Sequence, residues 1–259
     1  MASDHLSPEA IAAHDRQRIL PAAAQEALIA GLASRLRGYA PCLDAGAGTG
    51  MITIPLARAG IELVALDLSP AMLDVLRARL KPGDPVRVIE GDLRDLPFPD
   101  ASFGSVIVAN VFHLIPEWQR AVGELLRVLR PDRRFLVNLG GGGSLPPELS
   151  QVTARFWELY PIGHGGPSER RGLQDAEEFD AFMTDQGMEA LPPLEIAYDT
   201  ELTARTVIDR LEHNVFARPG DAGSARDAAE ATRAWARETL GSLDRSFPRT
   251  QRIVYRCYG

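Results

Sequence analysis

Between Pro41 and Leu139 the chain alternates short apolar runs with amphipathic stretches. Cys42–Ala45, Ile61–Leu66, Val86–Ile89, Ser105–Ala109 and Phe135–Leu139 read as strands, and Ile52–Ala59, Pro70–Leu80 and Trp118–Leu129 as helices. Alternation at this spacing implies βαβ units, hence a parallel sheet covered on both faces. Right-handed crossovers then bring the strand C-termini to one edge, where open α/β sheets bind ligands. Pro131 is expected to end the helix that precedes the fifth strand.

The pattern is looser elsewhere. Residues 1–38 read as an amphipathic helical segment broken near Pro21, with His14-Asp15-Arg16-Gln17-Arg18 as its solvated face. The run Gly140–Gly143 suits neither helix nor strand, and residues 144–174, with Pro146, Pro147, Pro161 and Pro167, read as a long irregular lid. A helix over Asp175–Gln186, an apolar run to Tyr198, helices near 203–216 and 224–241, and a last strand at Arg252–Tyr258 follow. The expected layout is a single domain, 1–259. It comprises the segment 1–38, a cofactor-binding half at 40–139, and substrate-covering insertions at 140–174 and 200–249.

The chemistry starts at Cys42-Leu43-Asp44-Ala45-Gly46-Ala47-Gly48-Thr49-Gly50, a strand running into glycines at every second position. Such glycines let the chain turn sharply and bring bare backbone against a ligand. The helix that follows offers unpaired N–H groups suited to a carboxylate or phosphate. A tight turn with no ligand would need one glycine rather than three. Asp44, Asp67, Asp92 and Asn110 all fall at or just past expected strand ends. Asp67, 21 residues after Gly46, is placed to accept from both hydroxyls of a ribose; capping of the helix near Pro70 is a compatible role. The third glycine comes one position early for G-x-G-x-x-G, with Met51 where that glycine belongs, which counts against a nicotinamide-dependent oxidoreductase. A P-loop is excluded too, because no lysine and serine complete it.

Composition adds mainly exclusions. A net charge of -7, scattered basic residues and a single lysine, Lys81, give no nucleic-acid footprint. Cys42 and Cys257 sit in apolar runs and read as small buried hydrophobes rather than a disulfide. Without a charged-then-apolar leader or a long apolar run, the expectation is a soluble cytoplasmic protein with no membrane contact, monomeric or homodimeric. No His/Cys/Asp/Glu group has metal-site spacing, and no G-x-S-x-G follows a strand.

Leu43–Gly50, Leu66-Asp67-Leu68-Ser69-Pro70-Ala71-Met72-Leu73, Gly91-Asp92-Leu93 and Leu96-Pro97-Phe98, in this order, resemble the motifs of class I S-adenosylmethionine-dependent methyltransferases. The resemblance covers residues 40–139 and implies a Rossmann-like, doubly wound, seven-stranded α/β sheet. Its last strand would run antiparallel beside the fifth. It also implies S-adenosyl-L-methionine as cofactor and S-adenosyl-L-homocysteine as product. In those terms Gly46, Gly48 and Gly50 pack against the methionine part, with Asp44 near its amino group. Asp67 takes the ribose, Leu68 and Met72 flank the adenine, and Asp92 and Leu93 meet its edge. Asn110 lies under the methionyl amine or sulfonium. Arg18 reaches the carboxylate, and His14 stands where the family often has an aromatic.

For the acceptor, His113 and then His164 are the candidate bases, since acidic acceptors want one tuned near neutrality. Phe156, Trp157, Tyr160 and His213 are candidate pocket lining, and an apolar roof points to a small organic substrate. A non-catalytic cofactor-binding protein of the same fold is the remaining alternative.

Overall fold

The computed structural model describes residues 8–16, 18–140, 145–160, 172–173, 175–212 and 222–259. The alternating block forms parallel strands β1 (Cys42–Ala45), β2 (Leu63–Asp67), β3 (Val86–Glu90), β4 (Phe103–Ala109) and β5 (Leu129–Asn138). Later in the chain, β6 (Ala190–Leu202) and β7 (Phe247–Tyr258) complete one seven-stranded sheet in the order β3-β2-β1-β4-β5-β7-β6. β7 alone runs against the other six strands, and it lies beside β5 as expected.

Side chains alternate across a strand, and the two faces are covered accordingly. Cys42, Leu63, Ile107, Leu136 and Tyr255 pack under α2 (Ala22–Leu36) and α3 (Thr53–Arg58). Leu43, Ala45, Val106, Val108 and Phe135 pack under α5 (Trp118–Arg127) and α7 (Ala176–Asp185). Phe179 of α7 is fully buried among Phe112, Trp118, Phe135 and Tyr258, with ring centroids 5.5 to 6.3 Å away. Helix α4 (Pro70–Arg79) starts at Ser69, whose hydroxyl accepts from the Met72 amide, with Pro70 in the first turn. Ser69 therefore caps this helix, the role the sequence had offered to Asp67. Cys42 and Cys257 are free and buried. Among the described residues no helix is long and apolar enough to cross a membrane.

Two expectations fail for local reasons. Pro131 lies inside β5, not ahead of it. The β4–β5 ladder jumps from Phe103–Leu129 to Ser105–Arg134, so the proline sits in the unpaired stretch where its missing N–H is harmless. The segment 144–174 is not irregular throughout, because Pro147–Leu159 forms α6. Pro146 and Pro147 open that helix instead of breaking it, since a first-turn residue needs no N–H donor.

Helices α6, α8 (Ala204–Glu212) and α9 (Ala222–Leu240) pack on one another as a cap, with a core that includes Leu149, Val152, Phe156, Leu202, Ile208, Ala229 and Phe247. The β6–β7 hairpin carries this cap. Asn138, the last residue of β5, donates through Nδ2 to the Val254 carbonyl at 2.9 Å. Val254 pairs with Glu195, so 196–202 and 247–253 project past the C-terminal edge of the parallel strands.

Phe179 joins α7 to both the sheet and the β4–α5 connection. Phe179→Ala is expected to lower the unfolding free energy by about 3–5 kcal/mol, read from urea denaturation.

Candidate functional site

At the C-terminal edge the glycine turn is fixed before any ligand arrives. The Gly46 and Ala47 amides both donate to the Leu66 carbonyl, at 2.8 and 3.0 Å. The Gly48 amide donates to Asp67 Oδ2 at 2.8 Å, and the Ser69 amide to Asp67 Oδ1 at 2.8 Å. One carboxylate thus ties the turn after β1 to the end of β2.

The three glycines do different work. All have positive φ: 82° at Gly46, 55° at Gly48 and 84° at Gly50. A Cβ on Gly46 would stand 2.3 Å from Val111 Cγ2, and one on Gly50 would stand 2.3 Å from Leu76 Cδ1. Those two glycines are demanded by packing. A Cβ on Gly48 would meet nothing within 4 Å, so this residue alone presents bare backbone to open space. The α3 helix has only six residues, so the cradle depends on turn amides and carboxylates more than on a helix dipole.

Asp44 is buried in β1 and accepts from the Thr53 hydroxyl at 2.5 Å. Burial pushes its carboxyl up to about 6; the Thr53 bond opposes this and the nearby Asp67 charge reinforces it. Burial also raises Asp67, against its bonds from the Ser69, Gly48 and Leu68 amides. Both acids are held where their charge is disfavoured, a common condition of ligand-binding carboxylates.

The remaining edge residues follow strand by strand. Leu68, beside Asp67, is 46% exposed, unusual for a large apolar side chain; Met72 and Leu93 are buried. Asp92 accepts from the Arg94 guanidinium at 2.6 and 3.1 Å, and this pair holds its carboxyl below the usual range. Asn110, just past β4, has φ 58°, a conformation that asparagine tolerates better than most residues, and its amide donates to the Asn138 carbonyl at 2.8 Å.

His113 follows in a single 3-10 turn, Phe112–Leu114, and is half-buried. The Gly172 and Leu173 amides return to the His113 and Phe112 carbonyls at 3.3 and 3.1 Å. A Cβ on Gly172 would come within 2.0 Å of the Phe112 carbonyl oxygen, so glycine is required there.

The N-terminal segment is not the solvated face it resembles. Asp15 of α1 (Pro8–Arg16) is buried; it accepts from the Thr49 hydroxyl at 2.7 Å and pairs with Arg79 Nη2 at 2.6 Å. Arg79 also donates to the Thr49 carbonyl at 3.3 Å. Asp15 therefore latches α1 onto the glycine turn and α4, a role with no signal in local spacing. Arg18 lies beside Tyr255, and burial lowers its pKa while the Asp15 charge opposes. The buried Tyr255 phenol in turn feels the Asp44 charge, which adds to burial in raising its pKa.

The candidate pocket residues fall less neatly. Phe156 and Tyr160, expected to line a pocket within a loop, are buried in the cap's own core along the inner face of α6, with Trp157 packed against them. His164 and His213 lie outside the described residues, as does the His14 side chain on α1. A groove of about 740 Å³ between Pro41, Glu62, Asp84, Arg87 and Phe103 opens at the opposite edge, at the strand N-termini, away from these carboxylates. Among the described residues no three His, Cys, Asp or Glu side chains group as a metal site.

Two outcomes follow from this geometry. Gly50→Ala is expected to cost roughly 2–5 kcal/mol of stability from overpacking and left-handed strain, and Gly48→Ala only about 1–2 kcal/mol from strain alone, both by urea denaturation. For Asp44, the folded-state value is raised, so its destabilisation is absent below the unfolded value near 3.8 and develops as pH rises through about 6. Asp44→Asn should gain on the parent over that window, by up to about 3 kcal/mol at neutral pH, measured as unfolding free energy against pH.

Comparison with known proteins agrees with this edge. Residues 43–137 match a family model described as a methyltransferase domain. The chain is 41% identical over 95 residues to a demethylmenaquinone methyltransferase of Clavibacter sepedonicus, covering 37% of this chain and 39% of that protein. It is 44% identical over 94 residues to an uncharacterized methyltransferase of Mycobacterium tuberculosis, covering 36% and 37%. The chain thus spans about two fifths of the length of these relatives. A crystal structure of a putative methyltransferase from Bacillus halodurans superposes with a TM-score of 0.60 at 16% identity, over 90% of this chain and 96% of that one, a likeness of fold. Residues 43–137 are thus similar to a methyltransferase domain, on a seven-stranded sheet whose last strand lies antiparallel beside the fifth.

Proposed function

We propose that this protein transfers a methyl group from S-adenosylmethionine to a small organic acceptor. The observation that carries this reading is the Asp67 carboxylate reaching across to the Gly48 amide, beside the one glycine of the turn that faces open space. The residues present fit the cofactor: a carboxylate beside an exposed leucine suits a ribose joined to a purine, and bare backbone suits a close-lying chain.

In this reading Asp67 accepts from the ribose hydroxyls while keeping its amide partners, since each carboxylate oxygen has more than one lone-pair site. Leu68 offers an apolar face to the purine, with Met72 and Leu93 beneath it, and Asp92 accepts from its amino group. The main chain of Gly46, Gly48 and Gly50 lines the amino-acid part. Asp44 faces the amino group of that part, Arg18 its carboxylate, and Asn110 completes the rim. When bound, S-adenosylmethionine supplies a methyl group activated by a sulfonium. The protein's task is then to hold the acceptor atom in line and exclude water, which by itself accounts for much of the acceleration. His113, next along the edge from Asn110, is the base for acceptors with an acidic proton. His164 is the second candidate, and His14 and His213 are carried as pocket residues.

The relatives' names bear on the donor half alone. The family match ends at residue 137, before α6, β6, α8, α9 and β7, so the demethylmenaquinone named for some relatives is not carried over as the acceptor.

Incubation with methyl-labelled S-adenosylmethionine and a panel of phenols, carboxylic acids and amines tests the reading; a labelled product supports it. Binding of S-adenosylhomocysteine without transfer to any member would point to a cofactor-binding protein that does not methylate. Asp67→Ala should weaken S-adenosylhomocysteine by roughly 1–3 kcal/mol through lost hydrogen bonds, measured by isothermal titration. Unchanged affinity would reassign the ribose site.

A further inference from the structure

The loop after β3 carries an acid whose backbone is fixed by its neighbours. The Gly91 amide donates to the Asp67 carbonyl at 3.0 Å, which ties the residue before Asp92 to the acid proposed to hold the ribose. The Asp95 amide closes a turn onto the Asp92 carbonyl at 3.1 Å. Beyond that turn the loop is fastened to α5. Glu124 accepts from the Leu96 amide at 2.9 Å, and Arg127 donates to the Leu96 and Phe98 carbonyls at 3.2 and 2.9 Å. Leu93, Leu96 and Phe98 are buried in one cluster with Trp118 and Leu125 of that helix.

The Asp92 side chain is held as firmly. The Arg94 amide donates to its Oδ1 at 2.9 Å, Nη2 to Oδ2 at 2.6 Å, and Nε to both oxygens at 3.1 Å. Arg94 Nη1 meanwhile donates to Glu117 Oε2 at 2.7 Å, on the residue just ahead of α5. Turning the Asp92 carboxylate would break the fork and the amide bond together. All three side chains are partly exposed, and ion pairs in that setting add little to folding stability. What a fork braced by a second acid does supply is orientation.

The lone pairs show what that orientation leaves. An ionised carboxylate offers about four acceptor sites, and the Arg94 amide, Nη2 and the shared Nε hydrogen take about three. Room remains for about one further donor. Arg94 also meets the Asp92 charge in place, so the carboxylate does not call for a cationic ligand. A neutral group with an N–H to give, such as the 6-amino group of a purine, satisfies both conditions. A 6-oxo group would set one acceptor against another.

We propose that Arg94, braced by Glu117, is a positioning residue that fixes the Asp92 carboxylate and so makes the site select 6-amino over 6-oxo purine nucleosides. The proposal rests on the methyl-transfer reading, which supplies the purine, and adds the residues that set its base specificity. Lysine would not serve at this position, because an ammonium cannot fork across two oxygens and still reach a second acid.

The test is isothermal titration of the full chain with S-adenosylhomocysteine and with S-inosylhomocysteine, its 6-oxo counterpart. The parent should bind the adenosyl compound roughly ten- to hundredfold more tightly. Arg94→Met should bring that ratio to within about threefold, through weaker adenosyl binding, and Arg94→Lys should not restore it. In an Asp92→Ala background, Arg94→Met should leave the ratio unchanged, as a residue acting only through Asp92 must. A ratio that survives Arg94→Met, or one that Arg94→Met still shifts without Asp92, would overturn the proposal. Should Arg94→Met fail to fold, Glu117→Gln decides: a ratio lowered by about threefold or more supports the brace, and an unchanged ratio overturns it. Tight adenosyl binding by the parent without 6-oxo discrimination overturns the proposal alone. Failure of the parent to bind either compound sinks the methyl-transfer reading, and the proposal with it.

Discussion

The Asp67 carboxylate, accepting from the Gly48 and Ser69 amides, is the constraint on which the site depends. It joins the turn after β1 to the end of β2 and holds the one open glycine beside an acid. Packing fixes the rest of the turn, through Gly46 against Val111 and Gly50 against Leu76. From the outside, Asp15 locks Thr49 and Arg79 to the N-terminal helix. The cradle is therefore built before a ligand arrives, and little ordering entropy remains to be lost on binding.

This preorganisation works against stability. Asp44 and Asp67 sit where burial disfavours their charge, and Asn110 takes a left-handed backbone. Each is unfavourable taken alone, and each lies at the C-terminal edge of the sheet. Strain and mismatched charge collect where ligands bind because the surrounding fold can hold them. Elsewhere the arrangement is conventional, as in the aromatic cluster around Phe179 or the Arg127–Glu124 pair that fixes the Leu96 amide and carbonyl.

The block from Pro41 to Leu139 was legible because its signals are local. Apolar runs of strand length, a glycine turn and acids at strand ends each arise within a few residues of sequence. The cap was harder to read. Leu149, Val152, Phe156 and Tyr160 do recur at helical spacing, but the flanking prolines and glycines masked the period, and Pro147 opens α6 instead of breaking it. The Asp15–Thr49 bond joins residues 34 apart and has no local trace. Nor could the sequence separate Gly48 from its neighbours, since the Val111 and Leu76 side chains that crowd Gly46 and Gly50 come from other elements.

A crystal structure of the full chain with S-adenosylhomocysteine tests the central claim most directly. The account predicts ribose hydroxyls within hydrogen-bonding distance of Asp67, the purine against Leu68, and the amino-acid part along the Gly46–Gly50 backbone. A nucleoside bound anywhere else, or a ribose that leaves Asp67 engaged only with its own amides, would contradict it.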